Sequence, residues 1–267
     1  MLIDGDNAQP SLIGNVLAEA AKHGEVTTRR VYGNWATPNM AGWKNVLNQH
    51  AIQPMQQFPY SKGKNATDIA LIIDAMDLLH SGRVDGFCIV SSDSDFVRLA
   101  TRIREQRMFV MGVGRATTPE SFRNACSVFV MTENLTPEEM EQDQDEESAS
   151  AEARQSPNEK PPPEEAEQDQ GKRSTPEEPK QSQNEGSPKP DWVPQVNRAI
   201  EETAQEDGWA HLGAVGNYLR KLDPGFDPRT YGHKQLSQLI GTREDLFELR
   251  QSGKGGEAVV YARLRGT

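Results

Sequence analysis

Between Thr136 and Pro190 the chain runs for 55 residues without one Phe, Trp, Tyr, Ile, Leu or Val. A stretch with so little to bury cannot offset its ordering entropy, so it is expected to be a disordered linker. No single core can run through the 267 residues; the chain divides into 1–135, the linker 136–190, and 191–267. The linker also takes up the charge: 16 Asp+Glu against 6 Lys+Arg give it −10 of the chain's formal −11. The flanking parts are nearly neutral, with 13 acidic and 13 basic residues in 1–135 and 11 and 10 in 191–267. An acidic chain ordinarily argues against a nucleic-acid partner. Segregated acidity removes that objection, while neither flank is basic enough for charge alone to imply RNA binding.

Residues 1–135 alternate short apolar runs with amphipathic ones. Strands are expected at Met1–Ile3, Thr27–Tyr32, Ile52–Phe58, Gly86–Val90, Phe109–Val113 and Val128–Met131. Helices fit Ser11–His23, Trp43–His50, Thr67–His80, Asp95–Gln106 and Pro119–Ala125. This is the pattern of an α/β fold, a mainly parallel sheet with helices on both faces. Ligands of such sheets bind outside the carboxyl ends of the strands. The first strand, Met1-Leu2-Ile3, is shorter than the usual strand, so an upstream start is expected.

Three carboxylate clusters fall where a parallel sheet would place a site. Asp4-Gly5-Asp6-Asn7 follows strand one, Asp68 opens a helix, and Ser91-Ser92-Asp93-Ser94-Asp95 follows Gly86–Val90. With strand one central, they converge on one crevice. Carboxylates gathered without Lys or Arg repel one another, and a divalent cation removes the conflict. Oxygen ligands favour Mg²⁺ or Mn²⁺, which activate water for attack on a phosphodiester. Asp, Asn and Ser after a strand are also ordinary turn and N-cap residues; Asp95 fits an N-cap, and Asp74 and Asp77 lie deep along their helix, though Asp74 roughly shares a side with Asp68 and stays a weaker candidate. None of the five His residues has zinc-ligand spacing or a nucleophile partner.

Cys88 and Cys126 form no redox or metal-ligand spacing, which suits a reducing compartment. No apolar run approaches a membrane span, and neither a leader nor a lipidation signal is visible, so a cytoplasmic protein without membrane association is expected. In residues 191–267, helix-period runs at Trp192–Gln205, His211–Leu222 and Lys234–Ile240 precede a hairpin of Phe247–Arg250 and Ala258–Arg263. Three helices and a hairpin make a winged helix-turn-helix.

Taken in order, Tyr32-Gly33-Asn34-Trp35, Gly63-Lys64-Asn65-Ala66-Thr67-Asp68-Ile69-Ala70-Leu71, Asp74-Ala75-Met76, Ser91-Ser92-Asp93-Ser94-Asp95-Phe96, Gly112-Val113-Gly114 and Ser121-Phe122-Arg123-Asn124-Ala125-Cys126 resemble the NYN domain of the PIN-like, LabA-like ribonucleases. The resemblance implies a PIN-like Rossmannoid fold and Mg²⁺- or Mn²⁺-dependent hydrolysis of RNA. It places Asp4, Asp68 and Asp93 as metal ligands, with Asp95 the fourth acid, and assigns Asn7, Ser91 and Ser92 to phosphate or to the acidic site itself. Lys64 is a candidate for substrate phosphate, and Trp35 either stacks on an RNA base or packs beneath its loop. Asp207-Gly208-Trp209-Ala210-His211-Leu212, Phe226-Asp227-Pro228-Arg229-Thr230-Tyr231-Gly232 and Lys234-Gln235-Leu236-Ser237-Gln238-Leu239-Ile240 resemble an OST-HTH/LOTUS domain. That implies RNA binding or docking of a protein partner. Arg229, His233, Lys234 and Lys254 are the candidate RNA contacts, and Trp209, Leu219, Tyr231 and Leu239 the expected core. On these readings the chain is a ribonuclease tethered to an RNA reader, the linker spanning roughly 40 Å if flexible. The rival is a catalytically inactive RNA-binding scaffold, which the full set of acids disfavours. A haloacid-dehalogenase-type phosphatase fits Asp4-Gly5-Asp6 but lacks the hydroxyl residue expected where Ala8 stands.

Overall fold

The computed structural model describes residues 1–58, 65–135, 191–252 and 259–266, so the whole expected linker, with Lys64 and Lys254, lies outside the described residues. The N-terminal part contains strands β1 (Leu2–Asp4), β2 (Arg30–Gly33), β3 (Gln53–Gln56), β4 (Gly86–Val90), β5 (Phe109–Gly114) and β6 (Val128–Met131). Between them run helices α1 (Ile13–Ala21), α2 (Trp43–Gln49), α3 (Ala66–Ser81), α4 (Val97–Glu105) and α5 (Glu120–Ala125). All five strand pairings are parallel, in the order β3-β2-β1-β4-β5-β6. This is the doubly wound arrangement, in which strand order reverses beside β1 and opens a crevice between the ends of β1 and β4.

Alternation along each strand explains why both faces are covered. On β1, Leu2 points into one core and Ile3 into the other. On β4, Phe87 and Ile89 join the core under α3, α4 and α5, while Cys88 and Val90 join the one under α1 and α2. A strand buried on both sides needs an unbroken apolar run, which is what Phe87-Cys88-Ile89-Val90 supplies. β3 is the exception. It is an exposed edge strand carrying Pro54, a residue that such an edge tolerates because one side of its backbone has no partner.

The strands β4 and β6 have the bounds expected from sequence, and β2 and β3 are shorter than expected. Helices α1 and α4 begin two residues late because a 3-10 turn, Pro10–Leu12 or Ser94–Phe96, precedes each. The cap of the latter turn corrects an expectation. Asp93, in extended conformation, accepts the Asp95 amide at 2.9 Å, so Asp93 rather than Asp95 is the capping residue.

The C-terminal part holds α6 (Val193–Thr203), the two-residue strand β7 (Ala210–His211), α7 (Leu212–Leu222), a 3-10 turn (Pro228–Tyr231), α8 (Leu236–Gly241), β8 (Phe247–Ser252) and β9 (Val259–Leu264). The antiparallel order β7-β9-β8 completes a winged helix. Its core gathers Val196, Ile200, Val215, Leu219, Leu239, Ile240 and Phe247. Trp209 is also buried, with the guanidinium groups of Arg250 and Arg263 4.4 and 4.7 Å from its ring centroid. The described residues of 1–135 and 192–266 belong to one compact unit. Among the described residues no helix is long and apolar enough to cross a membrane.

Candidate metal centre

The turn after β1 is built to present one carboxylate. Trp43, fully buried, donates its indole N–H to the Gly5 carbonyl at 3.2 Å, and the Gly5 amide donates to Tyr32 at 2.9 Å. A Cβ on Gly5 would stand 2.7 Å from both the Tyr32 carbonyl oxygen and the Met40 methyl, so no larger residue fits. Asp4 is consequently buried, at 1% exposure. Its Oδ2 accepts from Ser91 Oγ and from Asn7 Nδ2, each at 2.7 Å. Its Oδ1 is buried with no hydrogen-bond partner. A buried carboxylate oxygen left unsatisfied is costly, and a cation removes that cost.

Ser91 joins the two strand ends. Besides donating to Asp4, its Oγ accepts the Asp93 amide at 3.1 Å, and its own amide donates to Val113 at 2.9 Å. Gly114 lets the β4 loop lie this close, since a Cβ there would meet the Ser91 carbonyl oxygen at 2.6 Å and Thr118 Oγ1 at 2.7 Å. Ser92 faces the same neighbour, its Oγ accepting the Arg115 amide at 2.9 Å.

Asp68, in the first turn of α3, comes from 25 residues before Asp93 yet shares its site. Carboxylate oxygens of Asp68, Asp93 and Asp95 lie within 4.8 Å of one another. None of these three, nor Asp4, takes part in an ion pair among the described residues. Burial, and after it the neighbouring charges of Asp4, Asp93, Asp95 and Asp6, together raise the Asp68 carboxyl from 3.8 to about 6. Asp6 is exposed and stands outside the triad; partial burial and the Asp4 charge raise its carboxyl too. Asn65, at the N-cap position of α3, donates Nδ2 to Asp95 Oδ2 at 2.6 Å. Its place in the motif around Asp68 could have flagged it, but nothing in the sequence pairs it with Asp95. Unscreened acids and an orphaned oxygen make a donor set that fits a hard divalent cation.

Two family patterns cover most of the chain. Residues 1–133 match the NYN domain family, and residues 190–259 match the OST-HTH/LOTUS domain. The chain carries an NYN domain followed by an OST-HTH/LOTUS domain. No curated protein matches it. Solved structures similar to parts of it include a protein of unknown function from Vibrio parahaemolyticus, with TM-score 0.41 and 19% identity over 49% of this chain and 89% of that one. An uncharacterised protein from Nitrosomonas europaea is 36% identical over 37% of this chain and 92% of that one, with TM-score 0.25. A Chromobacterium violaceum protein is 40% identical over 28% and 79%, with TM-score 0.24. TM-scores this low leave the fold to rest on the strand order described above.

An NYN domain has a PIN-like nuclease fold, and an acidic cluster of Asp68, Asp93 and Asp95 is present in this one. The OST-HTH/LOTUS domain is an RNA-binding module. Other residues singled out from sequence have varied surroundings. In the NYN domain, Trp35 is partly buried against the α1/α2-side core and donates Nε1 to the Met55 carbonyl at 3.1 Å. Asp74 lies apart from the acids: it pairs with Arg30 at 2.9 Å and accepts the Tyr32 hydroxyl at 2.8 Å. In the OST-HTH/LOTUS domain, Lys234 is exposed and His233 partly buried. Arg229 is turned inward, its guanidinium bound by Asp227 and Glu19. Its side chain keeps 22% exposure.

Proposed function

We propose that the protein is a Mg²⁺- or Mn²⁺-dependent ribonuclease whose acidic crevice hydrolyses RNA phosphodiester bonds while the OST-HTH/LOTUS domain holds RNA. The observation that carries this reading is the convergence of Asp68, Asp93 and Asp95 within 4.8 Å, with Asp4, whose Oδ1 has no hydrogen-bond partner, close enough for its charge to raise the Asp68 carboxyl. These four acids are the proposed cation ligands. When bound, the cation supplies Lewis-acid activation of a phosphodiester and of the attacking water.

The protein's own residues hold the arrangement. Ser91 and Asn7 each occupy one side of Asp4 Oδ2, leaving Oδ1 free to ligate. Capping by Asp93 Oδ1 aims that loop into the crevice, and Asn65 orients Asp95. Asp68 must lose its proton to act as a ligand, so site assembly strengthens as pH rises through about 6. Lys64, Trp35 and Ser92 remain the proposed contacts to substrate; His233, Lys234 and Lys254 are the proposed RNA contacts of the second domain. The proposed domain limits are 1–135 and 191–267, and the proposed location is cytoplasmic.

The test is cleavage of end-labelled RNA with Mg²⁺ or Mn²⁺, with EDTA, and with Asp93→Asn in parallel. Cleavage should require the metal and be lost in the variant. Cleavage that survives both EDTA and the substitution overturns the mechanism. RNA bound but never cut indicates a scaffold instead.

A further inference from the structure

Glu19, in the second half of α1, is only 9% exposed. A buried carboxylate requires compensation, and only part of it is local: Lys22 donates at 2.9 Å from the next turn. The rest comes from 210 residues away, where Arg229 Nη1 lies 3.1 Å from Glu19 Oε2. Burial would raise the Glu19 carboxyl, but Lys22 and Arg229 outweigh it and hold the group below its usual value.

The arginine is presented as a preformed fork. Asp227 accepts from Arg229 Nε at 3.0 Å and from Nη2 at 2.6 Å, fixing the guanidinium plane. The same carboxylate caps the 3-10 turn Pro228–Tyr231 through the Arg229 amide. Two further links flank the fork. Asn134, itself buried, donates Nδ2 to Thr230 Oγ1 at 3.0 Å. The Phe129 amide, on the outer side of β6, donates to the Pro224 carbonyl at 2.8 Å. Three contacts from α1, β6 and the turn after β6 thus converge on residues 224–230.

We infer that the element Asp227-Pro228-Arg229-Thr230 is a docking element, by which the OST-HTH/LOTUS domain seats on the α1–β6 surface of this chain's own NYN domain. The surface suits this partner by chemistry: a carboxylate and a strand edge are matched by an oriented guanidinium and a backbone carbonyl. The two domains then work as one body, not as two beads on a tether.

The test uses the full chain with Asn134→Cys and Thr230→Cys. The native Cys88 and Cys126 are buried, so they offer little competition. Oxidised glutathione converts the two new thiols to one disulfide, releasing two molecules of reduced glutathione, and closure is followed by mass spectrometry. Ready closure is expected, slowed at least about tenfold by Arg229→Glu and largely recovered when Glu19→Arg is added. In parallel, X-ray scattering of the unmodified chain should give a smaller radius of gyration than that of Arg229→Glu. Glu19→Gln, a milder change on the other domain, should also enlarge it. Closure equally fast with Arg229→Glu, or equal radii in all three proteins, overturns the inference. Neither readout involves RNA or metal, so the result is independent of the nuclease reading.

Discussion

Replacing Asp68 by Asn should stabilise the metal-free protein and destroy the advantage that metal confers. In the absence of a cation, Asp68 ionises against burial and the charges of Asp4, Asp93, Asp95 and Asp6. Its rise from 3.8 to about 6 corresponds to about 3 kcal/mol before solvent screening. The carboxyl is only half-buried, so roughly 1–1.5 kcal/mol is expected to survive screening. The sign follows from linkage. Below pH 4 folded and unfolded chains both hold the proton; between pH 4 and 6 only the folded chain does. Stability from this group is therefore lost as pH rises to about 6 and stays lost above it. Asp68→Asn keeps the shape and removes the charge, so at pH 8 in EDTA its Tm should exceed the wild type's by roughly 2–5 °C. The gap should close near pH 4. Metal at a hundred times its Kd adds about 2.7 kcal/mol to a protein that binds it, so with Mn²⁺ the order should invert. The assay is a thermal melt of both proteins at pH 4, 6 and 8, with EDTA or Mn²⁺. A variant less stable than wild type in EDTA at pH 8, or equal stabilisation of both proteins by Mn²⁺, refutes the reasoning.

Other consequences are more local. Ser91→Ala removes the donor to Asp4 and the acceptor of the Asp93 amide; denaturant melts should show a loss of about 1–3 kcal/mol, and Mn²⁺ titration should show weaker binding. Gly114→Ala places a methyl 2.6 Å from the Ser91 carbonyl oxygen, and should cost about 1–3 kcal/mol in the same melts together with most of the RNA cleavage. Asp74→Asn breaks the pairing with Arg30 and weakens that with Tyr32; it should lower stability by about 1–3 kcal/mol while leaving cleavage per folded molecule near wild type, which an active-site role for Asp74 would contradict.

The doubly wound sheet was legible because strands such as Gly86–Val90 are short, continuous and apolar, and because each is separated from the next by a helix-period run. The acids were legible for a related reason: parallel topology sends every strand's carboxyl end to the same side, so residues remote in sequence become neighbours. What escaped was set by geometry at single residues. Asp93 and Asp95 are equally good caps on paper, and only the extended backbone at Asp93 decides between them. β7 is too short for any periodicity to register. The Arg30–Asp74–Tyr32 network joins residues more than 40 positions apart through side-chain reach alone. Arg229 looked like a surface cation because its partner Glu19 lies on the far side of the acidic segment, where local patterning carries no information.

The contact between Phe129 and Pro224 bears on how this sheet avoids sticking to others. Open sheets expose unpaired amides and carbonyls at both outer strands, and such strands recruit foreign chains. Here Pro54 removes a donor from β3 at one side, while the Pro224 carbonyl occupies a donor of β6 at the other. A fragment ending at residue 135 would leave that second strand bare. Such a fragment, with an outer strand uncovered, is expected to self-associate more readily than the full chain, a difference that sedimentation would read.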